Sequence, residues 1–544
     1  MFFFTIIFIS NLTFYIYGKI FLRLFFKKED NFHQSEIALY GTILLSFLAV
    51  FINFFVPLSE ITNSAFLIVP LLFLLKYKSF NLNDLKFLFL SSVFVSAIIV
   101  FSNINTPDAA LYHLPYTHIL NENKLIIGLS NLHFRFGHIS VIQYLSALNY
   151  NIITGFNGIL IPVASLMVFI FLYFINDVYN FVRSKSKISI NNSFSLFIVC
   201  YISYKINRYS GFGNDAIAHL LFFYLISIFL KSNHNYANLQ KSTIISVYII
   251  LNKVTLILAL LFPLILFFKC KEKKIKIFYS FPFFLMCIWI FKNILISSCL
   301  FYPVEKTCYN QFIWSDKNEL INQSISGEAW AKGWPDRLDK NIDQKSYIEK
   351  FNWIKSWYSV HFKYIVKTVF PYLILLLLIN LMINYSRTRN NINTLFFHRN
   401  KFKILSTIFV LLVGNIIFFI KFPLYRYGYS YLISMVSFLF SITIFSYNEK
   451  FTKKVFKYVL IFSITVFLSK QLLRIYDNYN LRTLFPSTKT SLKIEEKVIG
   501  RDFKFYLSNS ECMYINSPCT NIINNKLDHK KILNYDVIFI NKKL

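Results

Sequence analysis

The chain is short of acid. Its 544 residues carry 26 Asp and Glu against 57 Lys and Arg, a formal net charge of +31. Such a balance invites a nucleic-acid partner. The basic residues, however, sit mainly in short loops between apolar runs, where Lys and Arg set membrane orientation. Nucleic acid is therefore excluded as a partner. The chain also lacks the strict alternation of a transmembrane β-barrel. It lacks a separable signal peptide, because the first apolar run is long and has no small-residue cleavage site. It lacks a convincing internal repeat, which weighs against a secondary transporter.

What is present is apolar. Hydrophobic residues make up 56% of the chain and the mean hydropathy is +0.50. Apolar runs of roughly 15 to 25 residues, the length that crosses a bilayer as helix, recur from end to end. The pattern predicts an all-α polytopic membrane protein of about 12–14 transmembrane helices. Spans are expected near 2–24, 36–57, 60–76, 84–104, 152–176, 192–206, 215–231, 242–268, 276–297, 363–384, 403–421, 428–446 and 456–472.

Basic clusters fix the sides. Arg23, Lys27 and Lys28, then Lys76, Lys78 and Lys86, then Arg183, Lys185 and Lys187 belong on the cytoplasmic face. So do Lys269, Lys271, Lys273 and Lys274, then Arg387, Arg389, Arg399 and Lys401, and Lys450, Lys453 and Lys454. One span breaks the alternation. If 242–268 crossed once, the Lys269 cluster would face outward. A hairpin broken near Asn252-Lys253 removes the conflict; its turn must then sit inside protein or a wet cavity. A missed or extra span elsewhere is the alternative.

The chain then divides into N-terminal helices 1–83, a membrane core 84–472 with outer loops 105–151 and 298–362, and a small α+β extracytoplasmic region 473–544. Strand-like runs in that last region start at Phe503, Cys512 and Asp536. Cys299 and Cys308 share the large loop, and Cys512 and Cys519 share the tail. In an oxidising compartment these read as two local disulfides.

The stretch Thr106 to His138 concentrates chemistry at the mouth of a membrane helix: Asp108, Tyr112, His113, His118, His133, Arg135 and His138. Asp108 has two readings, a helix N-cap and a partly desolvated carboxylate that takes a proton from a hydroxyl. His113, His133 and His138 are either ligands of a divalent cation together with Asp108 or interfacial histidines that hold the loop. No His-x-x-x-His spacing favours the first. Arg135 is a snorkelling anchor or an anion clamp. Lys253, between two short apolar halves, is costly unless it faces a cavity or a partner, and it suits a lipid-borne phosphate. Lys292 and Arg426 are placed with it, against an interfacial snorkelling alternative. Asp215 opens a span, with His219 one turn below it on the same face. Glu328, Trp330, Trp334 and Asp336 offer aromatic platforms with acids between them.

These strings resemble a known group. D-x-x-L-Y-H-L from Asp108 and G-L-x-N-L-H-x-R-F-G from Gly128 resemble a family of uncharacterised bacterial polytopic membrane proteins. Weaker matches lie at G-N-D from Gly213, F-K-N-I-L-I-S from Phe291, F-Y-P from Phe301, Trp330-Ala331-Lys332 and Pro518-Cys519-Thr520. That family in turn is similar to the GT-C superfamily of integral membrane glycosyltransferases, which use polyprenyl-phosphate-linked sugars. The resemblance implies a GT-C-like core in a bacterial cytoplasmic (inner) membrane with its catalytic side extracytoplasmic. It implies a polyprenyl-phosphate-linked sugar donor and a cell-envelope glycan or lipid acceptor. It assigns Asp108, with Tyr112 and His113, to catalysis, and Lys253, Lys292 and Arg426 to the donor phosphate. His133, Arg135, Asp215, His219 and Trp330 are substrate contacts on this reading. The resemblance assigns no definite cofactor and leaves a divalent cation open.

The chain departs from the superfamily in two ways. Three spans precede the helix that opens near Asp84, and the acidic motif is D-A-A rather than a paired acid. Two rivals stand beside the transferase. An O-antigen polymerase or ligase would rely on Arg337 and His361 of the large loop. A flippase or transporter for a lipid-linked saccharide would move its substrate without breaking a bond.

Overall fold

The computed structural model describes residues 2–26, 32–76, 80–102, 107–205, 212–213, 215–232, 235–270, 280–384, 393–444, 449–480, 484–485, 493–522 and 524–541. Lys27, Lys28, Lys78, Asn214, Lys271, Lys273, Lys274, Arg387 and Arg389 lie outside the described residues.

The chain is mostly helical. In order the helices are α1 (Phe2–Phe25), α2 (Gln34–Ile52), α3 (Glu60–Lys76), α4 (Leu82–Ile99), α5 (Leu114–Glu122), α6 (Val141–Leu148), α7 (Ile161–Arg183), α8 (Ile190–Lys205), α9 (Asp215–Lys231) and α10 (Tyr236–Asn252). Then come α11 (Leu261–Lys269), α12 (Ser280–Ser297), α13 (Lys317–Ala331), α14 (Gln344–Ile348), α15 (Ile354–Trp357), α16 (Lys363–Asn384), α17 (Asn393–Lys421), α18 (Tyr425–Thr443) and α19 (Glu449–Asp477). Each expected span contains a helix. The span expected at 152–176 starts later, because residues 155–160 form a 3-10 turn ahead of Pro162 in the first turn of α7.

Among the described residues, α1, α2, α4, α7, α16, α17 and α19 are the seven helices long and apolar enough to cross a membrane, and three shorter apolar helices stand beside them. Length and hydropathy miss α8, α9, α10 and α18 for a physical reason. These helices are short or carry serines and tyrosines, and they are sheathed by other helices rather than by apolar solvent. The outer surface is apolar instead: Phe370, Leu381, Phe409, Leu412, Phe462 and Leu472 are all more than 45% exposed. A belt of this kind is paired with lipid rather than water.

Contacts between helices follow membrane rules. Gly18 of α1 faces the backbone of Ile37, and Gly41 of α2 faces that of Phe14, so closely that a Cβ on either would collide with a carbonyl. Small residues of this kind let two apolar helices touch backbone to backbone.

The 242–268 segment is a hairpin, as the charge pattern requires. α10 ends at Asn252, Lys253 is extended, a 3-10 stretch runs from Val254 to Leu260, and α11 turns back along α10 until Cys270 comes near Tyr236. With that reversal the helices alternate in direction and the bundle has two unlike poles. One carries Arg23, Lys86, Arg183, Lys269 and Lys453, tied by links such as Lys453 to the Ser184 carbonyl and Lys19 to Asp84 at 2.9 Å. The other gathers segments 107–151, 298–362 and 484–541.

That second pole is stitched together. Ile127 pairs in parallel with Val537, Asn131 donates to the carbonyls of Trp314 and Ile538, and Trp357 Nε1 donates to the Pro423 carbonyl at 2.7 Å. The C-terminal region forms two small sheets. β1 (Ile494–Ile499), β2 (Phe503–Ser508) and β3 (Cys519–Thr520) make one, antiparallel then parallel, and β4 (Leu527–Ile532) with β5 (Tyr535–Ile540) makes the other. Two of the three expected strand runs are present. The run from Cys512 is not a strand. It is a turn closed by the Cys512–Cys519 disulfide, and the amides of Cys512 and Met513 donate to the Ala110 carbonyl. Cys299–Cys308 forms as well.

Gly41→Val is expected to force α1 and α2 apart and lower the thermal midpoint of the detergent-purified protein by several degrees, whereas Gly327→Ala, which meets open space, leaves it unchanged. Equal midpoints for the two variants would contradict the close helix contact.

Candidate functional site

Asp108 follows Pro107 at the mouth of α4 and precedes a widened π turn at Ala109–His113. Its side chain does not cap that turn. Instead Oδ2 accepts from Nη1 of Arg426 at 2.6 Å, across 318 residues of sequence. Arg426 lies in the first turn of α18, after the bend Lys421–Leu424. Its guanidinium lies between the rings of Trp330 at 5.3 Å and Tyr427 at 5.2 Å.

A second pair stands beside the first. Lys253, at the hairpin tip, meets Asp215 at the start of α9 at 2.5 Å. The same ammonium reaches the Arg426 carbonyl at 3.4 Å and lies 4.8 Å from the Tyr427 ring centre. The tip is held from below: Asn252 Oδ1 accepts from Ser140 Oγ at 2.8 Å and from the Ile142 amide at 2.9 Å, which fixes it to the start of α6. Both acids are accessible, with Asp108 34% and Asp215 37% exposed, whereas the Lys253 side chain is 6% exposed. Two carboxylates and two cations from four distant segments thus share one half-open depression at the loop pole.

His113 borders it. Gln143 Nε2 donates to His113 Nδ1 at 3.1 Å, which leaves the ring proton on Nε2, facing Gly213. A Cβ at 213 would stand 3.2 Å from that nitrogen, so glycine keeps the approach open. Burial pushes His113 down to about 4, and Arg426 and Arg135 push the same way against Asp215 and Asp108. The ring is neutral at physiological pH, with its one proton on Nε2. Tyr112 is raised above the ordinary phenol value by burial first and by Asp108 second, so it also keeps its proton. The Arg135 guanidinium lies 5.6 Å from the Tyr112 ring centre and adds positive charge to this side.

Of the residues singled out in the sequence, Asp108, Tyr112, His113, Arg135, Asp215, Lys253, Trp330 and Arg426 are brought together. Three are not. Lys292 is fully buried elsewhere: its ammonium donates to the Val50 carbonyl at 3.1 Å and Asn53 Oδ1 at 3.0 Å, over the rings of Phe54 and Tyr144. It pins the last turn of α2, where carbonyls lack helical partners, and its donors are spent there. His219 is buried, with Nε2 donating to the Arg426 carbonyl at 2.9 Å and Nδ1 accepting from Ser430 at 2.7 Å. It sets the start of α18 and does not face the depression. His133 is buried and caps the 134–137 turn by accepting from the Arg135 amide at 3.0 Å. Arg337 donates to the carbonyls of Trp334 and Lys340 and stacks on Trp334 at 3.9 Å, within the large loop. Among the described residues no cluster of three or more His, Cys, Asp or Glu is placed to hold a metal ion.

Gln143 and Tyr427 were not legible as site residues. Gln143 belongs to a short amphipathic helix and carries no spacing signal. Tyr427 is one of several tyrosines in L-Y-R-Y-G-Y-S.

Residues 1–433 match the family model described as a domain of unknown function (DUF8201), and the chain belongs to that family. The matched region contains both acid–base pairs. No curated protein and no solved structure matches the chain.

His113, His118 and His133 are each held at about 4, below the ordinary 6.5, with burial the largest cause. The unfolded chain takes up these protons near 6.5 and the folded chain only near 4, so the stability they contribute is complete above about 6.5 and lost as pH falls toward 4. The thermal midpoint of the purified protein is expected to drop between pH 7.5 and pH 5. His118→Phe, which keeps the stack on Tyr514, should flatten part of that drop. A midpoint independent of pH in this window would contradict the buried neutral state.

Proposed function

We propose that this member of the DUF8201 family is a GT-C-type integral membrane glycosyltransferase. It transfers a sugar from a polyprenyl-phosphate donor to a cell-envelope glycan or lipid acceptor on the non-cytoplasmic face of a bacterial inner membrane. The observation that carries the reading is the pairing of two accessible carboxylates with two cations at one pole of an apolar bundle. Ionisable groups left accessible at the end of an apolar bundle point to a substrate path. The shorter helices packed among the seven long ones complete about 12–14 crossings. The basic pole faces the cytoplasm by the orientation rule, which puts the depression outside.

The chemistry follows from the group types. The acceptor hydroxyl attacks the anomeric carbon of the donor sugar, and the bond from that carbon to the phosphate oxygen breaks. Asp108 takes the hydroxyl proton. The lipid phosphate leaves with the bonding electron pair, and Arg426 and Lys253 stabilise its charge. Tyr112 through its hydroxyl and neutral His113 through its Nε2–H orient hydroxyls of the sugar or acceptor beside Asp108. Trp330 offers an aromatic face to a sugar ring at the rim. Arg135 adds positive charge on the acceptor side.

Asp108→Asn is expected to cut transfer from a polyprenyl-phosphate sugar by roughly 10²- to 10⁴-fold, the usual contribution of a general base. The check is the envelope glycan profile of cells at matched protein level, together with transfer by the purified enzyme. An unchanged profile removes Asp108 from catalysis. A loss on Arg337→Ala with none on Asp108→Asn would point to the polymerase or ligase chemistry instead.

A further inference from the structure

Arg426 is occupied and under-used at once. Nη1 is given to Asp108. Nη2 makes only a long contact, 3.4 Å, to the Tyr427 hydroxyl. Nε is buried and has no partner. A guanidinium prefers to meet an oxyanion with two parallel donors, and a carboxylate held through Oδ2 at one nitrogen does not provide this. A phosphate, with oxygens to spare, does. The ring centres of Trp330 and Tyr427 lie 5.3 and 5.2 Å from the guanidinium carbon. Arg426 and Asp108 are 39% and 34% exposed, so an anion can reach them from the loop pole. Asp108 must itself be freed before it can act on a hydroxyl, since its Oδ2 is taken up by Arg426 Nη1.

We infer that Asp108 is the resting counter-ion of Arg426 and that the donor phosphate displaces it, so that filling the phosphate site releases the base. This rests on the donor reading above and adds an order to it: phosphate first, proton acceptance second. Asp108 and the phosphate compete for one guanidinium, and a carboxylate close to an incoming anion also repels it. The two effects have the same sign, so removing the Asp108 charge strengthens phosphate binding even as it removes the base. A residue that only contacts substrate would weaken binding when altered.

The experiment is a titration of the full-length protein in lipid nanodiscs with a sugar-free polyprenyl phosphate, and separately with inorganic phosphate, followed by tryptophan fluorescence. Asp108→Asn is expected to bind about tenfold or more tightly than wild type, within the usual range for coupled sites. Arg426→Ala should lose the binding, and Asp108→Asn combined with Arg426→Ala should gain nothing over Arg426→Ala alone. Asp108→Ser carries the same ranking where the Asn variant expresses poorly. Tightening with inorganic phosphate as well assigns the effect to the headgroup; tightening with the lipid alone assigns it to the intact carrier, and both support the competition. Equal or weaker binding by Asp108→Asn, with wild type binding normally, overturns the competition and leaves the donor reading standing. No binding of either probe to any form overturns the donor reading itself.

Discussion

A charge that enters this apolar bundle has to bring a counter-charge or, as Lys292 does, a set of neutral oxygen acceptors, and the architecture is arranged around that constraint. A lone ion at low dielectric costs several kcal/mol or more, whereas a hydrogen-bonded pair is tolerated. At the basic pole the pairs are closed: Lys19 with Asp84, Lys241 with Glu36 and Lys231 with Asp177, each wrapped by further donors from Tyr15, Tyr224, Asn191 or Ser195. At the loop pole the same device is left open. Asp108 and Asp215 each keep about a third of their surface exposed, and Arg426 keeps donors unspent. Satisfied pairs hold helices together. Incompletely satisfied ones in a reachable depression are what a substrate can use.

The loop pole owes its rigidity to chain segments that sequence distance would keep apart. The C-terminal sheets do not stand alone; β5 joins Ile127, and Tyr535 donates to the Phe54 carbonyl. The stack of His118 on Tyr514 and the Thr520 bond to the Leu132 carbonyl add the disulfide turn to the same surface. About fifty residues in two small sheets bury too little apolar area to be stable alone, and here they borrow the face of the 107–151 segment. That segment is in turn held in place from above, so the residues around Asp108 rest on helices below and strands over them.

Much of this was legible because it is one-dimensional information. Span positions follow from runs of apolar residues, and the hairpin follows from the sign of Lys269 against the alternation of sides. Asp108 and Lys253 were visible because a charge beside or within an apolar run is costly. Two of the misplaced site residues share one cause. Lys292 and His219 carry the same signal as Lys253, a polar group in an apolar helix, but their partners are carbonyls and a serine from other helices. Sequence shows the cost of burying a group and not which neighbour offsets it. The strands β1 and β4 were missed because their residues, IEEKVI and LDHKKI, are mostly charged and lie on small exposed sheets where alternation is lost.

The span of 318 residues between Asp108 and Arg426 has a consequence for biogenesis. Synthesis is vectorial, and earlier segments settle first. Asp215 and Lys253 emerge within forty residues of one another and can neutralise each other while the hairpin inserts. Asp108 has no such companion until α18 leaves the ribosome, after the whole large loop has been made. The two pairs therefore mature in sequence. The depression is completed only when most of the polypeptide is in place, so a chain truncated before α18 inserts its early helices with Asp108 still without its cation.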